Sequence, residues 1–258
     1  MKINRKPSSS HWYHRDGAPC HTVIAKSTGL PRPTTVADAR KLNLIPSVTN
    51  VLAMKAKPVL TTWLQNNSIR AALETERRVN ESEADWHSRI AEEADRIGEE
   101  AAEWGTLIHE QCEQFATQGA FLGTGEILQY VAGYADWHRA NVVTTIAAEK
   151  SVVHWMGFAG RLDLHAVIRH GGEEREAIVD MKSQRLLGKP KANFYPEWSM
   201  QLAAYAQCVN PDALLVSIII PSDTPAPVQV KVWDNAAEAW KAFQACFELW
   251  VFEKGYRP

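Results

Sequence analysis

The sequence predicts an α/β protein with a mixed β-sheet flanked by helices and with a helical subdomain N-terminal to the sheet. Three features indicate this class. Helical periodicity prevails from about residue 46 to 140, strand-like patterns occupy most of residues 141–184, and helices then alternate with apolar strands. This order is typical of a sheet that is buried between layers of helices.

The domain organisation follows from the same order. Residues 1–45 are expected to form an N-terminal extension with a small hairpin. Residues 46–258 are expected to form one domain, with a helical part at 46–140 and an α/β core at 141–258. A chain of 258 residues, of which 45% are hydrophobic, is long enough to bury such a core.

The N-terminal extension contains residue types that bind metals in other proteins. Its hairpin is expected around Asp16-Gly17, because an aspartate followed by a glycine favours a tight turn. The histidines and the cysteine nearby do not have a usual structural-zinc spacing, so we expect partly exposed strand residues rather than a zinc site. They are His11, His14, Cys20 and His21.

Charge and hydropathy narrow the class of protein. A net charge of −2 excludes an overall basic field, so nucleic-acid binding would depend on a local groove. No apolar run approaches the roughly 18 residues that a membrane-spanning helix needs, and no apolar region follows the first ten residues. We therefore expect no membrane partner and a cytoplasmic location, in the host cytoplasm if the protein is phage-encoded.

The helical part is predicted from capping residues and periodicity. Ser47 is expected to cap a short helix, and Pro58 fits the first turn of a helix that continues to Arg78. A longer helical region is predicted from about residue 81 to 117, where apolar residues recur at helical spacing. Gly98 and Gly105 interrupt its pattern and are expected to mark a break or a close contact.

The remaining elements alternate between helix and strand. A helix is predicted at about 126–140 and a strand at 145–156, followed by a β-hairpin over 157–184. A helix at 196–209 comes next. The last elements are strands at 213–221, continuously apolar and therefore expected inside the sheet, and at 228–233, and an amphipathic helix at 235–254.

The hairpin carries the residues that point to function. If Gly171-Gly172 forms its two-residue turn, as the positive φ of type I′ and II′ turns favours, Asp163 lies opposite Asp180. In this register one face is entirely apolar, and the opposite face carries Arg161, Asp163, His165, Asp180 and Lys182. The apolar face comprises Leu162, Leu164, Ala166, Ile168, Ala177, Val179 and Met181.

Two opposed carboxylates require a cation between them. Directly opposed residues have Cβ atoms about 5 Å apart, and hard divalent cations such as Mg²⁺ bind to one or two carboxylates together with water and phosphate. Lys182, two positions after Asp180, points the same way. By pattern alone an alternative stays open, namely an exposed hairpin whose polar face meets solvent, with Lys182 as the counter-ion.

The spacing of these residues resembles a known family. Asp163 followed by Asp180-Met181-Lys182 is similar to the D…(D/E)-x-K core of the PD-(D/E)XK nuclease superfamily. That resemblance implies the fold of the superfamily, a restriction-endonuclease-like core, for residues 141–258. It also implies that Asp163, Asp180 and the Met181 carbonyl bind the metal and that Lys182 acts on the attacking water.

Further motifs resemble those of the RecB-like exonuclease branch, to which phage exonucleases and the mitochondrial genome maintenance exonuclease belong. These motifs are His109 in WGTLIHEQCE, Glu149 before the hairpin, and Gln201 with Tyr205 in QLAAY. The resemblance implies that His109 and Glu149 complete the metal site and that Gln201 and Tyr205 contact DNA. By pattern alone, the alternatives are a packed helical histidine, a surface carboxylate and a core tyrosine.

A basic segment follows Lys182. Arg185, Lys189 and Lys191 lie beside aromatic residues and could follow a phosphate backbone. The alternative is a solvated, mobile loop.

We therefore expect a Mg²⁺- or Mn²⁺-dependent DNA exonuclease of recombination, repair or replication. Its partners would be single-stranded or end-containing DNA and a recombination protein such as a single-strand annealing or binding protein.

Two other functions stay open at this point. One is a structure-selective endonuclease that uses the same site, and the other is a non-catalytic DNA-binding module of the same fold. A non-catalytic module would not need Asp163, Asp180 and Lys182, which favours an enzyme. No iron–sulfur cluster is expected, because Cys208 and Cys246 lie far apart and no cysteine cluster follows them.

Overall fold

A computed structural model describes residues 11–258, and the first ten residues of the expected extension lie outside the described part. The chain divides into two compact units. Residues 56–107 form one, the helical unit. Residues 11–55 and 108–258 belong to the other, the sheet unit, so residues 11–45 group with the sheet.

Helices and strands alternate much as the sequence predicts. The elements of the described residues are, in chain order, β1 Trp12–Tyr13, β2 Thr22–Ile24, β3 Pro31–Pro33, α1 Val36–Leu42, β4 Ile45–Pro46, α2 Val48–Leu52, α3 Pro58–Glu74, α4 Glu83–Gln118, α5 Ile127–Asn141, β5 Val142–His154, β6 Phe158–His170, β7 Glu173–Gln184, α6 Pro196–Val209, β8 Leu214–Pro221, β9 Gln229–Trp233 and α7 Ala236–Lys254.

The predicted helix starts are confirmed, and one predicted end is wrong. The Ser47 side chain accepts a hydrogen bond from the Asn50 amide and caps α2, and Pro58 lies in the first turn of α3. Helix α3 ends at Glu74 rather than at Arg78, because the backbone becomes extended at the next residue. The amide of Arg78 instead donates to the Glu81 carboxylate, in the turn that leads to α4.

Helix α4 runs through both of its glycines, so of the break or close contact expected there, the break is wrong. A Cβ atom at Gly98 would lie 3.8 Å from the ring of Trp63, which is an ordinary contact distance. None of the helices within residues 11–258 is long and apolar enough to span a bilayer.

The sheet of the sheet unit is five-stranded and mixed, as predicted. Its order is β5-β6-β7-β8-β9, with β7 and β8 parallel and the other neighbours antiparallel. Strand β8 lies inside the sheet and is buried over nearly all of its length, as its continuous apolar sequence indicates. The sheet is flanked by helices: α6 packs on β5, β7 and β8, and α5 contacts β5, β6 and β8.

The N-terminal segment of the sheet unit packs against α7 and forms hydrogen bonds with the end of this helix. Strand β1 pairs with β4. The Arg40 guanidinium donates to the carbonyls of Lys254 and Gly255 at the end of α7, and the Tyr256 hydroxyl donates to the Leu44 carbonyl at 2.6 Å. Trp12 is 1% exposed and packs against Trp250. Residues 12–52 are therefore anchored to α7.

The β6–β7 hairpin has the predicted turn, and it keeps the predicted register as far as Leu164 and Val179. Gly171 and Gly172 have φ of +62° and +85°, and the ladder runs from His170 opposite Glu173 to Leu164 opposite Val179. Asp163 and Asp180 do not form the next pair, so this detail of the prediction is wrong. Strand β7 continues along β8 to the end of both, whereas β6 stays with β5, and the two strands separate.

We call this separation the fork, defined by residues 161–163 of β6 and 180–182 of β7. The predicted apolar face of the hairpin is buried, as expected. The alternative of an exposed polar face is wrong, since His165 is 7% and Asp180 only 1% exposed. Helix α6 covers this side, because a side chain of α6 bonds Asp180 directly.

Candidate metal centre

Three side chains that can bind a metal converge at the fork. They are His109 from the last turns of α4, Glu149 from β5 and Asp163 from β6, and one ligand atom of each lies within 4.8 Å of the others. The Nδ1 atom of His109 is 3.9 Å from Oδ2 of Asp163. This is the one cluster of its kind among residues 11–258.

The Asp163 side chain replaces a backbone hydrogen bond where the β6–β7 ladder ends. Its Oδ2 atom accepts a hydrogen bond from the Met181 amide at 2.6 Å. A side-chain carboxylate thus satisfies a backbone donor that the β6 backbone would satisfy in a regular ladder. The bond also fixes the Met181 backbone beside Asp163.

Asp180 is buried next to this cluster and is held from two sides. Its Oδ1 atom accepts hydrogen bonds from Lys182 Nζ at 2.7 Å and from Gln201 Nε2 at 2.9 Å. Its Oδ2 atom lies 2.6 Å from Lys182 Nζ but accepts no hydrogen bond of ordinary geometry from residues 11–258. One buried carboxylate oxygen is therefore left with unused acceptor capacity.

The charges of Asp180 and Lys182 depend on one another. Burial raises the pKa of Asp180 above its ordinary value, Lys182 opposes this shift, and Asp163 adds to it. Burial would lower the pKa of Lys182, but Asp180, Asp163 and Glu149 outweigh burial and raise that pKa. Lys182 is consequently a cation at neutral pH.

Glu149 has an unusual backbone. Its φ is +48°, in the left-handed region that non-glycine residues seldom adopt, although the ladder with β6 continues on both sides of it. The Arg161 Nε atom donates to the Glu149 carbonyl at 3.0 Å and lies 2.5 Å from its Oε2 atom. Arg161 thus holds both the backbone and the carboxylate of a strained residue, and such strain is concentrated at functional sites.

The protonation of the cluster reflects its burial. Burial, followed by repulsion from Asp163, raises the pKa of Glu149 to about 7 even though Arg161 acts in the opposite direction. Burial lowers the pKa of His109 below its ordinary value, and Asp163 opposes that shift. A neutral imidazole has a free ring nitrogen that can bind a metal.

The donor set fits a hard divalent cation. Carboxylates and carbonyls suit Mg²⁺ and Mn²⁺, and an imidazole is compatible with Mn²⁺. Two observations support the fit: ligand atoms of Glu149 and Asp163 lie within 4.8 Å of each other, and Asp180 Oδ2, although 2.6 Å from Lys182 Nζ, accepts no hydrogen bond within residues 11–258. A cation would offset the repulsion between Asp163 and Glu149, which adds to burial in raising the pKa of Glu149.

Gln201 and Tyr205, expected to contact DNA, are buried on α6. They are 9% and 4% exposed, and the Gln201 Nε2 atom that donates to Asp180 lies 3.4 Å from the Tyr205 hydroxyl. Gly160 of β6 makes room for Tyr205, since a Cβ atom at Gly160 would lie 2.4 Å from the tyrosine ring. In this geometry Gln201 orients Asp180.

The predicted basic segment forms a loop of defined shape, residues 185–193, which we call the basic loop. Arg185, Lys189 and Lys191 are exposed on it. Side chains hold the loop backbone at three places. The Asp223 carboxylate accepts hydrogen bonds from the amides of residues 186 and 187, and the Gln229 side chain accepts from the amide of residue 192 and donates to the carbonyl of residue 190. The Gln184 side chain accepts from the Asn193 amide and donates to the Asn193 carbonyl. The cations are solvated, as both interpretations of this segment predict, and hydrogen bonds from side chains hold the loop backbone.

The N-terminal histidines do not converge on a metal site. His11 and His21 stack with ring centroids 4.5 Å apart, and His21 Nδ1 lies 2.9 Å from the Trp12 carbonyl. Among residues 11–258, no cluster of three metal-binding side chains includes them, His14 or Cys20.

Sequence reasoning missed four residues that shape the site and the basic loop. The sequence does contain a signal for two of them. Arg161 belongs to the charged face of the hairpin, and Gly160 is a glycine inside a strand, which often marks a place where another group packs closely on the backbone. Asp223 and Gln229 gave no signal, because their partners lie 36 to 39 positions earlier in the chain.

No family model matches the chain, and no curated protein matches it. The function therefore has to be argued from the geometry of the fork and the basic loop.

Proposed function

We propose that this protein is a Mg²⁺- or Mn²⁺-dependent deoxyribonuclease of the PD-(D/E)XK superfamily, and that it is an exonuclease of the RecB-like branch. One observation carries the proposal: His109, Glu149 and Asp163 converge at the fork, where the buried Asp180 and its partly buried partner Lys182 lie beside them. The five-stranded mixed sheet with flanking helices is compatible with that superfamily.

His109, Glu149, Asp163 and the unused oxygen of Asp180 would hold the metal, with the Met181 backbone fixed next to them. When bound, the metal would supply a Lewis acid that lowers the pKa of a coordinated water and offsets phosphate charge. Lys182 orients the attacking water and stabilises the negative charge that develops on the phosphate, because it is a cation and cannot itself bind a metal.

The remaining residues position these groups. Gln201 holds Asp180 through its amide, and Arg161 holds Glu149. The exposed cations of the basic loop, Arg185, Lys189 and Lys191, bind the phosphates of the strand. Preorganised groups of this kind lower the cost of arranging charge during the reaction.

The requirement for a free DNA end separates an exonuclease from an endonuclease on the same site. The test is digestion of closed circular single-stranded DNA and of the same molecule after linearisation, with Mg²⁺ or Mn²⁺ and with EDTA as the control. We expect degradation of the linear molecule and survival of the circle. Equal degradation would establish a structure-selective endonuclease, and binding without any cleavage would establish a non-catalytic module.

A further inference from the structure

A groove on the sheet unit is not part of the metal centre. It has a volume of about 460 Å³ and lies between α5 and the segment of residues 225–228 that leads into β9. The apolar surface comes from Trp137, Pro225 and Pro227, and Gln129 and Asp136 contribute polar atoms. We call it the Trp137 groove.

The walls of the groove are held together closely. A Cβ atom at Gly133 of α5 would lie 2.9 Å from the carbonyl oxygen of Ala226 and 3.1 Å from two further backbone atoms. Only glycine permits this approach of helix and loop. The groove is therefore preformed, which reduces the entropy lost when a ligand binds.

The same segment also supports the basic loop. Asp223, two residues before the groove wall, accepts hydrogen bonds from the amides of Leu186 and Leu187 at 2.8 and 2.7 Å. Gln229, directly after the wall, accepts from the Ala192 amide at 2.9 Å and donates to the Pro190 carbonyl at 3.1 Å. The groove and the basic loop thus share one stretch of backbone.

The cations of the basic loop favour a polyanion as the neighbouring ligand. Lys189 and Lys191 are exposed and form no ion pair within residues 11–258. Trp137 in the groove and the cations on the loop that the groove wall supports are the two kinds of group that bind single-stranded nucleic acid, in which bases stack on aromatic rings and phosphates bind cations.

We propose that the Trp137 groove binds a nucleobase of a DNA strand whose phosphates are held by the basic loop. The base stacks on Trp137, and Gln129 and Asp136, which line the groove, supply polar atoms for hydrogen bonds to its edge. The inference rests on the proposed function in that DNA is the substrate, but it concerns binding rather than cleavage.

The test is binding of a fluorescent single-stranded oligonucleotide, measured by anisotropy in EDTA so that no cleavage occurs. A second oligonucleotide of the same length carries abasic sites, and therefore presents phosphates without bases. We expect Trp137→Ala to weaken binding of the normal oligonucleotide about 10-fold, a typical stacking contribution, and to leave binding of the abasic one unchanged.

Two further variants control for folding and for the choice of tryptophan. Trp155 is 86% exposed in the β5–β6 turn, and Trp155→Ala should not alter binding of either oligonucleotide. Ala132 is an exposed residue that lines the groove. Ala132→Leu would fill the groove with an aliphatic side chain while Trp137 stays in place, and should weaken binding of the normal oligonucleotide only.

Equal binding by the wild-type protein, Trp137→Ala and Ala132→Leu would overturn the proposal. Binding of a fluorescent polyproline peptide that depends on Trp137, without any dependence on bases, would assign the groove to a proline-rich protein and would also overturn it. Failure of the proposed function looks different: the wild-type protein would then bind the base-containing strand through Trp137 but would not cleave DNA with any metal.

Discussion

The two ends of the β6–β7 hairpin have the same strands but different chemistry. At the distal end, near Gly171-Gly172, the strands form a regular ladder from Leu164–Val179 to His170–Glu173. At the fork the ladder stops, and the Asp163 carboxylate accepts the hydrogen bond of the Met181 amide. Backbone pairing holds the distal end, and side chains hold the fork.

The difference shows where a sheet can host a reactive site. A ladder satisfies its backbone groups internally and leaves little room for a ligand. At the fork, strand β7 remains fixed by its parallel partner β8 while its other edge is open to side chains. Carboxylates can therefore come together on a rigid support, which favours precise positioning of a metal.

The largest expected effect separates the two ends directly. Asp163→Asn should reduce the cleavage rate about 1000-fold or more and abolish Mn²⁺ binding, because it removes a ligand of the metal. The metal acts as a Lewis acid and stabilises the charge of the transition state by several kcal/mol. The amide retains an acceptor for Met181, so the fold should persist. The measurements are single-turnover cleavage and calorimetric titration with Mn²⁺.

Glu174→Ala at the distal end is the matched control for Asp163→Asn. Glu174 is exposed and belongs to the regular ladder, so its removal should leave rate and metal affinity unchanged. Removal of a metal ligand should lower the cleavage rate by more than about 100-fold. If Asp163→Asn kept more than about a hundredth of the wild-type rate, the fork would not be the active site.

The next effect separates the two roles within the fork. Lys182→Ala should lower the cleavage rate about 100-fold, in the range of a positioned proton-transfer or charge-stabilising group. Mn²⁺ affinity should persist, because an ammonium group does not bind a metal. Calorimetry and rate measurement on the same sample distinguish these effects, and a joint loss of both would show that Lys182 supports the aspartates structurally.

A third comparison uses one glycine from each end. Gly160→Ala should lower the free energy of unfolding by about 3 kcal/mol, because its Cβ atom would overlap the buried Tyr205 ring. Gly171→Ala should cost only about 1 kcal/mol, since its φ is +62° but no atom lies within 4 Å of the added Cβ. Urea unfolding curves give both values, and equal losses would mean that the fork tolerates packing changes as the turn does.

The smallest expected effect concerns Arg161. Arg161→Ala should weaken Mn²⁺ binding about 10-fold, as loss of a residue that orients a ligand usually does, because Glu149 loses the partner of its carbonyl and carboxylate. Arg161→Lys should restore part of the affinity through the carboxylate contact alone. Arg169→Ala, at the distal end, serves as the control, and an equal loss there would exclude a specific role of Arg161.

Much of the fold could be predicted from local sequence signals. Ser47, Pro58 and the two glycines of the hairpin turn each encode their structure within a few residues, and all were placed correctly. The apolar face of the hairpin follows from the alternation of the sequence alone. Such signals depend only on neighbours in the chain, which is why they can be read without tertiary structure.

The fork could not be predicted in the same way. Its position depends on where β6 leaves β7 beyond Val179 while it stays paired with β5, and that point results from packing among three strands. The positive φ of Glu149 and the burial of Gln201 likewise follow from contacts with distant residues, Arg161 and Asp180. Sequence alone supplied the candidate residues, whereas their orientation required the fold.

The anchoring of the N-terminal segment to α7 has a consequence for synthesis of the protein. Arg40 and its acceptor at Lys254 are 214 positions apart, and Tyr256 and Leu44 are 212 apart. During translation, residues 12–52 emerge long before α7 exists, so they cannot complete their packing until that helix has been made. Contacts of such long range slow folding, and early segments such as the one around Trp12 are exposed to chaperones and proteases in the meantime.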